Sequence, residues 1–287
     1  MSEPLKPIDM LMGLAVAVTW GMGLVFAKAA IVHFPPILLM SLRFTVTALA
    51  LVWFVRPPIN QLWPLFKVTL VAATIQYSLT FTGLKGLDAG VTALIVQLEV
   101  PILTLLGAVL LHEKTGLRKW MGIALAFVGV AMIVGAPTER IAFASAALVI
   151  GGSFTWAVGQ VMVRQLKDID GLTITAWVAV LAAPQLFVMS LLFESGQWLA
   201  AKSAPPVVWI SVAYLGLIMT AFGYWLWYTL VRRHPVSQVA PYLLLLPLVS
   251  VIGGILFLGE TLSWSSLIGG AVVLAGVASI VLEKRQT

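Results

Sequence analysis

Long apolar runs alternate with short polar breaks along almost the whole chain. Each run is close to the roughly 20 residues that a helix needs to cross the hydrocarbon core of a bilayer. Charged residues, Pro and Gly divide these runs into ten candidate spans, which predicts an all-α membrane protein. The predicted spans are 10–30, 36–55, 64–84, 89–111, 119–135, 141–163, 172–193, 205–231, 236–258 and 264–282.

The composition agrees with a chain that lies mostly in lipid. Of the 287 residues, 61% are hydrophobic and 10% are charged, against roughly a quarter charged in an average soluble domain. The net charge of +6 is dispersed among the polar breaks, unlike the basic patches of nucleic-acid-binding proteins. We therefore expect the lipid bilayer and a small molecule as partners, and no nucleic acid.

Side chains that could carry covalent or metal chemistry are scarce. The chain contains no cysteine, and its three histidines, His33, His112 and His234, lie far apart. This excludes disulfides and thiolate sites, and it predicts no metal, no cofactor and no catalytic residue. No P-loop pattern is present, so direct ATP hydrolysis is not expected.

Lys and Arg residues are distributed unevenly between the two sets of breaks. If the N-terminus is cytoplasmic, twelve of them lie in inside breaks and four in outside breaks, with Arg43 within a span. The positive-inside rule then places both termini in the cytoplasm. An odd number of spans would put the C-terminal Lys284 and Arg285 outside, so this bias favours ten. The first run is interpreted as a span rather than a cleaved signal, because the segment before it has mixed charge.

The two halves of the sequence resemble each other. Trp20 and Lys28 recur 136 positions later as Trp156 and Arg164. A second set of residues near the end of the first half recurs 147 positions later: Glu113, Gly122, Gly129, Val130 and Ala131 become Glu260, Gly269, Gly276, Val277 and Ala278. Because each half holds five spans, the second must enter the membrane from the opposite side. The sequence thus predicts two inverted repeats, residues 1–137 and 138–287, an arrangement typical of alternating-access transporters. Chance alignment of Gly-rich sequence is the alternative.

Several short motifs are similar to those of a known transporter family. The chain resembles the EamA-type transporters of the drug/metabolite transporter superfamily over nearly its whole length. One departure is His112, where family members often carry Gly before the Glu. The motifs are Trp20-Gly21, Arg43, Ala93-Leu94, Pro101-Ile102, Leu110-Leu111-His112-Glu113, Gly122 with Gly129, Leu258-Gly259-Glu260, and Gly269 with Gly276.

The resemblance implies a fold, a place in the cell and a direction of transport. It implies a ten-helix carrier in the bacterial cytoplasmic (inner) membrane that moves amino acids or related small metabolites outward, with a monomer sufficient for function. The Trp- and Tyr-rich interior is most similar to the YddG-type amino-acid exporters of this family. Uniport, proton antiport and exchange all stay open as energy sources.

Two charged residues, Glu99 and Arg43, lie well inside predicted spans, and Lys28 lies near the end of another. Glu99 lies halfway along the fourth span, where an ionisable side chain costs roughly 2.5 to 3.5 kcal/mol. It could bind a substrate ammonium group, carry a proton, or act as a structural hydrogen-bond acceptor near Pro101. Arg43 and Lys28 are candidate counter-charges. Arg43 could bind a carboxylate or tie helices together, whereas Lys28 is expected to extend towards the outer interface.

Prolines at matching positions predict interrupted helices. Pro101 lies in the fourth span, and Pro241 and Pro247 lie in the ninth, which is its equivalent in the repeat. Such interruptions often mark a transporter's binding site, because freed carbonyl groups can line a cavity or permit bending. Ordinary proline kinks are the alternative. Glu113 and Glu260 are expected to cap helix junctions.

Aromatic and polar residues predict a binding wall for a hydrophobic substrate. With Glu99, the candidate substrate-binding residues are Trp20, Tyr77, Ser78, Trp156, Gln160 and Tyr242. By contrast, we expect the cluster formed by Tyr224, Trp225, Trp227 and Tyr228 to lie in an interfacial aromatic belt. The resulting hypothesis is an exporter of aromatic or other hydrophobic amino acids. The alternatives are a broad-specificity drug or cation efflux carrier and, less favoured, an intramembrane enzyme.

Overall fold

A computed structural model describes residues 5–110, 115–135, 140–163, 166 and 169–282. Several residues named in the sequence analysis lie outside the described residues: the predicted capping residue Glu113, the motif residue His112, and the basic residues Arg164, Lys284 and Arg285. Within the described part the secondary structure is helical, without strands, which confirms the predicted all-α class.

Helical segments follow one another along the chain, joined by short connections. The first half contains α1 (Pro7–Ile31), α2 (Pro36–Leu51), α3 (62–85), α4 (Ala89–Val96 and Glu99–Leu110) and α5 (Leu117–Val134). The second half contains α6 (Arg140–Val163), α7 (Gly171–Phe193), α8 (206–233), α9 (236–258) and α10 (Trp264–Val281), with a short helix, Gln197–Ser203, before α8.

Nine of these segments, within the part of the chain described, are long and apolar enough to cross a membrane. The exception is α3, which contains many hydroxyl and amide side chains that the surrounding helices bury. Its buried polar residues are Thr69, Thr74, Gln76, Ser78 and Thr80. α3 packs against α6 and α2, so it lies among the apolar helices.

Four of the segments depart from regular α-helix in their interior. π-helical turns occur at Leu70–Ile75 in α3 and at Tyr214–Phe222 in α8, and adding the repeat offset of 147 to 70–75 gives 217–222. α4 is interrupted at Gln97 and Leu98, and α9 contains a 3₁₀ segment, Ala240–Leu245. A further π-helical turn, Gly254–Leu258, ends α9, whereas the equivalent described part of α4 is regular α-helix. The other irregular segments occur at equivalent places in the two halves, and such turns are frequent at functional sites.

Glycines allow α5 and α10 to pack closely along their length. A methyl group added at Gly129 would lie 2.6 Å from the backbone nitrogen of Val273 and 2.7 Å from the carbonyl oxygen of Gly269. Gly122 meets the carbonyl oxygen of Gly276 in the same way, at 2.7 Å. As residue numbers rise in α5 they fall in α10, so these two repeat-equivalent helices are antiparallel.

Acidic side chains connect the two halves at one end of the bundle, which we call the distal end. The Glu194 carboxylate, after α7, accepts hydrogen bonds from the backbone N–H groups of Ile37 and Leu38 at 2.8 and 3.1 Å, where α2 begins. The Glu260 carboxylate, after α9, accepts from Ala89 at 2.7 Å, where α4 begins. Each carboxylate satisfies N–H groups that a helix start leaves free and lies at the positive end of the helix dipole.

Lys28 also lies at the distal end. Its Nζ donates to the carbonyl oxygens of Leu84, Lys85 and Leu87 at 2.9, 3.1 and 2.6 Å. The ammonium group therefore caps the C-terminus of α3, where a positive charge is stabilised by the helix dipole.

The opposite end carries an ion-pair cluster. Asp9, in the first turn of α1, is 3% exposed, and its carboxylate lies 3.1 Å from Nη1 of Arg233 and 3.0 Å from Nε2 of His234 at the end of α8. This cluster joins the first and second halves, and we call this end the N-terminal end.

We predict that Gly129→Ala destabilises the protein by about 1–3 kcal/mol, because the added methyl group overlaps backbone atoms of α10 that have no room to move. The measurement is thermal unfolding of purified protein in detergent. Gly151→Ala is the matched control, since the nearest heavy atom would lie at an ordinary 3.6 Å. Equal melting temperatures for the two variants would contradict close α5–α10 packing.

Candidate functional site

Arg43 is the central residue of the candidate site. It lies in the middle of α2, is 1% exposed, and is the largest fully buried side chain in the described structure. Its Nε donates to Oγ1 of Thr220 at 2.9 Å, and its Nη2 lies 3.4 Å from the hydroxyl of Tyr77. The guanidinium carbon is 4.8 Å from the centroid of the Tyr77 ring and 5.2 Å from that of Phe44. Arg43 is thus held by neutral and aromatic groups.

The Arg43 charge has no acidic partner among the described residues. The ion pairs found there join Asp9 to Arg233 and His234 at the N-terminal end. A guanidinium group stays protonated in proteins, so burial cannot be relieved by losing the proton. Cation–π contacts compensate part of the desolvation cost. The arrangement is therefore suited to an anionic group brought in by a ligand.

The π-helical turn of α8 positions the groups that surround Arg43. Thr220 Oγ1 donates to the carbonyl oxygen of Leu215, five residues earlier, at 2.7 Å, while it accepts from Arg43. Met219, in the same turn, has its carbonyl oxygen 3.0 Å from Nε1 of Trp20. The Tyr214 hydroxyl donates to the carbonyl oxygen of Thr19 at 3.1 Å. Hydrogen bonds with α1 therefore position the π-helical turn of α8, and this turn provides the acceptor for Arg43.

Two tyrosines lie at equivalent positions of the two repeats. Tyr77 follows the π-helical turn of α3, and Tyr224 follows that of α8, 147 positions later. The Tyr77 ring makes an edge contact with Phe44 at 5.1 Å, and the Tyr224 ring lies 4.9 Å from Trp20. Tyr224 interacts electrostatically with Tyr77, Arg43 and Glu99. The site thus combines elements of both halves.

Tyr224 does not face outward, as the members of an aromatic belt do, and the interfacial depth of this cluster stays a prediction. Tyr224 faces the interior against Trp20, and Trp227 lies 5.9 Å from the same Trp20 ring. Trp225 between them is 53% exposed and stacks on Phe222, so only this face of the cluster points outward. The reason is the helical period, which puts residues 224, 227 and 228 on one face. The 147-residue offset from Tyr77 is the signal that would have identified Tyr224.

Glu99 is the first residue of the second piece of α4, directly after the interruption at Gln97 and Leu98. Pro101 lies in the first turn of this piece, where its missing N–H costs no helical hydrogen bond. Among the described residues, Glu99 forms no hydrogen bond or ion pair, and its side chain is half-buried. A carboxyl group without a partner among the described residues is available to a ligand.

The other candidate residues occupy several places around this centre. Trp156 packs on an apolar cluster that includes Leu94 and Ile95 of α4. The Ser78 hydroxyl donates to its own helix, to the Thr74 carbonyl oxygen at 2.7 Å. Gln160 is half-buried in α6. Tyr242 packs on Gly13 of α1.

The predicted helix-breaking prolines and Lys28 are the remaining residues singled out from the sequence. Pro247 lies in the first turn of the α-helical piece Leu246–Gly253, and Pro241 lies at the start of the 3₁₀ segment of α9. Lys28 caps α3 at the distal end, eight residues and therefore about 12 Å along α1 from Trp20. The structure thus brings Trp20, Tyr77 and Arg43 together around the π-helical turn of α8, and it places Lys28 elsewhere. Thr220 and Tyr214 were not anticipated from the sequence.

A second polar pair lies outside this centre, at an apolar groove of about 350 Å³ between α3 and α7. Thr74 Oγ1 donates to Oε1 of Gln185 at 2.6 Å. Thr74 therefore does not share the site of Tyr77, although both belong to α3.

Comparisons with known proteins agree with this architecture. The EamA-like transporter family matches the chain twice, at residues 8–135 and 144–282. A protein named as a probable amino-acid metabolite efflux pump from Salmonella typhimurium is 29% identical, with 94% of this chain and 93% of the relative covered. A protein of the same name from Escherichia coli is 27% identical with the same coverage. A solved crystal structure with 20% sequence identity has a TM-score of 0.65 and covers 96% of both chains, which shows the fold alone.

We predict that Thr220→Val lowers stability by about 1–3 kcal/mol, because it leaves the buried Nε of Arg43 without an acceptor. Thr229→Val in the same helix is the matched control, since its hydroxyl bonds only the Trp225 carbonyl oxygen near the surface. The expected change for that control is within about 0.5 kcal/mol. Thermal unfolding in detergent measures both. A Thr220 variant as stable as the Thr229 variant would argue against this support of Arg43.

Proposed function

Because the chain belongs to the EamA-like transporter family, we propose that it is a secondary transporter that exports amino acids or related small metabolites by alternating access. The names of the relatives, probable amino-acid metabolite efflux pumps, support the direction and the substrate class. The observation that carries the proposal is the buried Arg43 without an acidic partner among the described residues. An amino acid supplies the carboxylate that this guanidinium lacks.

The proposed topology is ten spans in two inverted five-helix repeats, 1–137 and 138–287, with both termini in the cytoplasm of a bacterial cell. α3 is the tenth span, because it lies among the other helices and turns its polar groups inward. The antiparallel packing of α5 on its repeat equivalent α10 supports the inversion. Inverted repeats generate the two faces of a carrier by exchanging conformations around a central site.

The proposed substrate is a zwitterion with a hydrophobic side chain. Arg43 binds its carboxylate, and Glu99, which has no partner among the described residues and begins the second piece of α4, binds its ammonium group. Trp20, Tyr77 and Tyr224 provide an aromatic wall on which an apolar side chain packs. Ser78, Trp156, Gln160 and Tyr242 stay candidate substrate-binding residues. Lys28 stays a candidate counter-charge, although its bonds to α3 favour a structural role.

The interrupted helices are proposed as the moving parts. α4 is interrupted just before Glu99, and α9 contains a 3₁₀ segment, Ala240–Leu245, that includes Pro241 and ends before Pro247. Backbone that is not α-helical bends with fewer hydrogen bonds to break, so these places allow the helix ends to open and close around the substrate.

A broad-specificity cation efflux carrier is the second candidate. Aromatic rings and Glu99 would both attract a cation. The buried guanidinium beside them repels one, because like charges in a low-dielectric interior are costly. Arg43 therefore favours a zwitterion or an anion over a simple cation.

Counterflow in proteoliposomes is the direct test of transport. Purified protein is loaded with one amino acid, and the uptake of labelled amino acids is followed with and without a pH gradient. Saturable uptake that requires the protein supports the carrier. If no amino acid, amine or metabolite of a broad panel moves in either direction, the proposal is wrong.

We predict that Arg43→Gln weakens the apparent affinity for a carboxylate-bearing substrate at least about 30-fold, since truncating a buried charged partner costs roughly 2–5 kcal/mol. Arg56→Gln is the matched control, because Arg56 is exposed beyond the end of α2. Counterflow at varied substrate concentration gives both affinities. A folded Arg43 variant with unchanged affinity would place the carboxylate elsewhere.

We predict that Glu99→Gln abolishes the preference for an amino acid over the analogue that lacks its amine, because the charge that pairs with the ammonium group is lost. Competition by the two compounds in the counterflow assay measures this preference. If instead the preference persists and only the response to a pH gradient disappears, Glu99 carries a proton rather than binding the substrate.

A further inference from the structure

Two tryptophans that are equivalent in the repeats make different contacts. Trp156 follows Trp20 by 136 positions, and Gly159 follows Gly23 by the same number. A methyl group at Gly23 would meet Met219 in the π-helical turn of α8, and one at Gly159 would meet Ala72 in the π-helical turn of α3. Since 72 and 219 differ by 147, α1 packs on α8 as α6 packs on α3.

In the first of these interfaces the tryptophan is bonded to the turn. Trp20 Nε1 donates to the Met219 carbonyl oxygen at 3.0 Å. The indole also lies against Gly223 and next to the Tyr224 ring. The wider spacing of π-helical hydrogen bonds makes a carbonyl group in such a turn accessible to an outside donor.

In the second interface the corresponding bond is missing from the described structure. The carbonyl group equivalent to that of Met219 belongs to Ala72, and the ring equivalent to Tyr224 is Tyr77. Within the part of the chain described, the Trp156 indole forms no hydrogen bond, and its ring packs against an apolar cluster to which α4 contributes. The two halves therefore differ in the position of one indole, although the surrounding helices correspond.

We propose that Trp20 and Trp156 exchange roles in the transport cycle. In the described conformer Trp20 holds the π-helical turn of α8. In the opposite conformer Trp156 donates to the Ala72 carbonyl oxygen in α3, and Trp20 releases Met219. The inference rests on the proposed alternating access, in which inverted repeats swap conformations. Each indole then biases a two-state equilibrium, because its hydrogen bond exists in one state only.

In the described conformer the two halves contact each other at the distal end. There, Glu194 bonds the start of α2 and Glu260 bonds the start of α4, and each contact joins the second half to the first. A short distance between the halves at the distal end therefore reports the conformer in which Trp20 is bonded.

The absence of native cysteines allows this distance to be measured without background. Cysteines replace Lys85, the last residue of α3, and Lys202, in the short helix before α8, and both positions are exposed at the distal end. Spin labels on them report the distance distribution by pulsed electron paramagnetic resonance in lipid nanodiscs. Replacing Trp by Phe removes the indole N–H and keeps an aromatic ring.

We expect the two single variants to shift the ratio of short to long distances in opposite directions. Trp20→Phe lowers the ratio of short to long distances about fivefold, as expected from the loss of one hydrogen bond, and Trp156→Phe raises it by a similar factor. The double variant returns towards the wild-type ratio, because each conformer has lost one bond. Trp225→Phe is the matched control and leaves the ratio unchanged, since Trp225 is exposed in the same helix as Met219.

Shifts in the same direction, or no shift with Trp156→Phe, would overturn the exchange. If Trp20→Phe does not give monodisperse protein, Trp156→Phe alone decides, because it must enrich the short distance. Counterflow by the labelled protein separates this inference from the proposed function. If the protein transports but the two variants do not shift the distances in opposite directions, the tryptophan exchange is wrong and the proposed carrier function stands. If the shifts are opposite but no substrate is transported, the exchange stands and the proposed carrier function is wrong.

Discussion

A protein in hydrocarbon must satisfy its own backbone polar groups, and the irregular segments of this chain depend on that constraint. Where α8 departs from α geometry, side chains provide partners for its carbonyl groups, one from a neighbouring helix and one from the turn itself. Trp20 donates to the Met219 carbonyl oxygen and Thr220 to that of Leu215. The π-helical turn is thereby stabilised in a place where water is absent, and its geometry in turn fixes the acceptor for the Arg43 guanidinium.

The same constraint explains the distribution of charge at the ends of the bundle. Helix starts have free N–H groups and helix ends have free carbonyl groups. Glu194 and Glu260 satisfy the former, and Lys28 satisfies the latter. Because the two carboxylates come from the second half and the N–H groups from the first, contacts that complete individual helices also hold the halves together. Any opening of the distal end must break them.

The hydrophobic pattern of the sequence was sufficient to predict most of the fold. Each helical segment starts within three residues of its predicted span, because apolar run length and flanking Pro or Gly determine where a membrane helix can begin. The pattern could not locate the π-helical turns, since these depend on hydrogen bonds such as that of Thr220 with residues far away in sequence. It also placed Tyr224 in an outward-facing belt, because proximity to Arg232 and Arg233 says nothing about which face of α8 points inward. Arg43 and Glu99, by contrast, were detectable from the sequence as charges where lipid should exclude them.

The charges of the centre constrain how energy could be coupled to transport. Arg43 carries a guanidinium group, which provides a fixed positive charge. Glu99 is a carboxyl group within a span, and its charge can change during a cycle. An ammonium group beside Glu99 favours the charged carboxylate and therefore competes with a proton for it. Proton antiport and amine recognition would therefore use the same carboxyl group, and the fixed charge of Arg43 would hold the substrate carboxylate in either case.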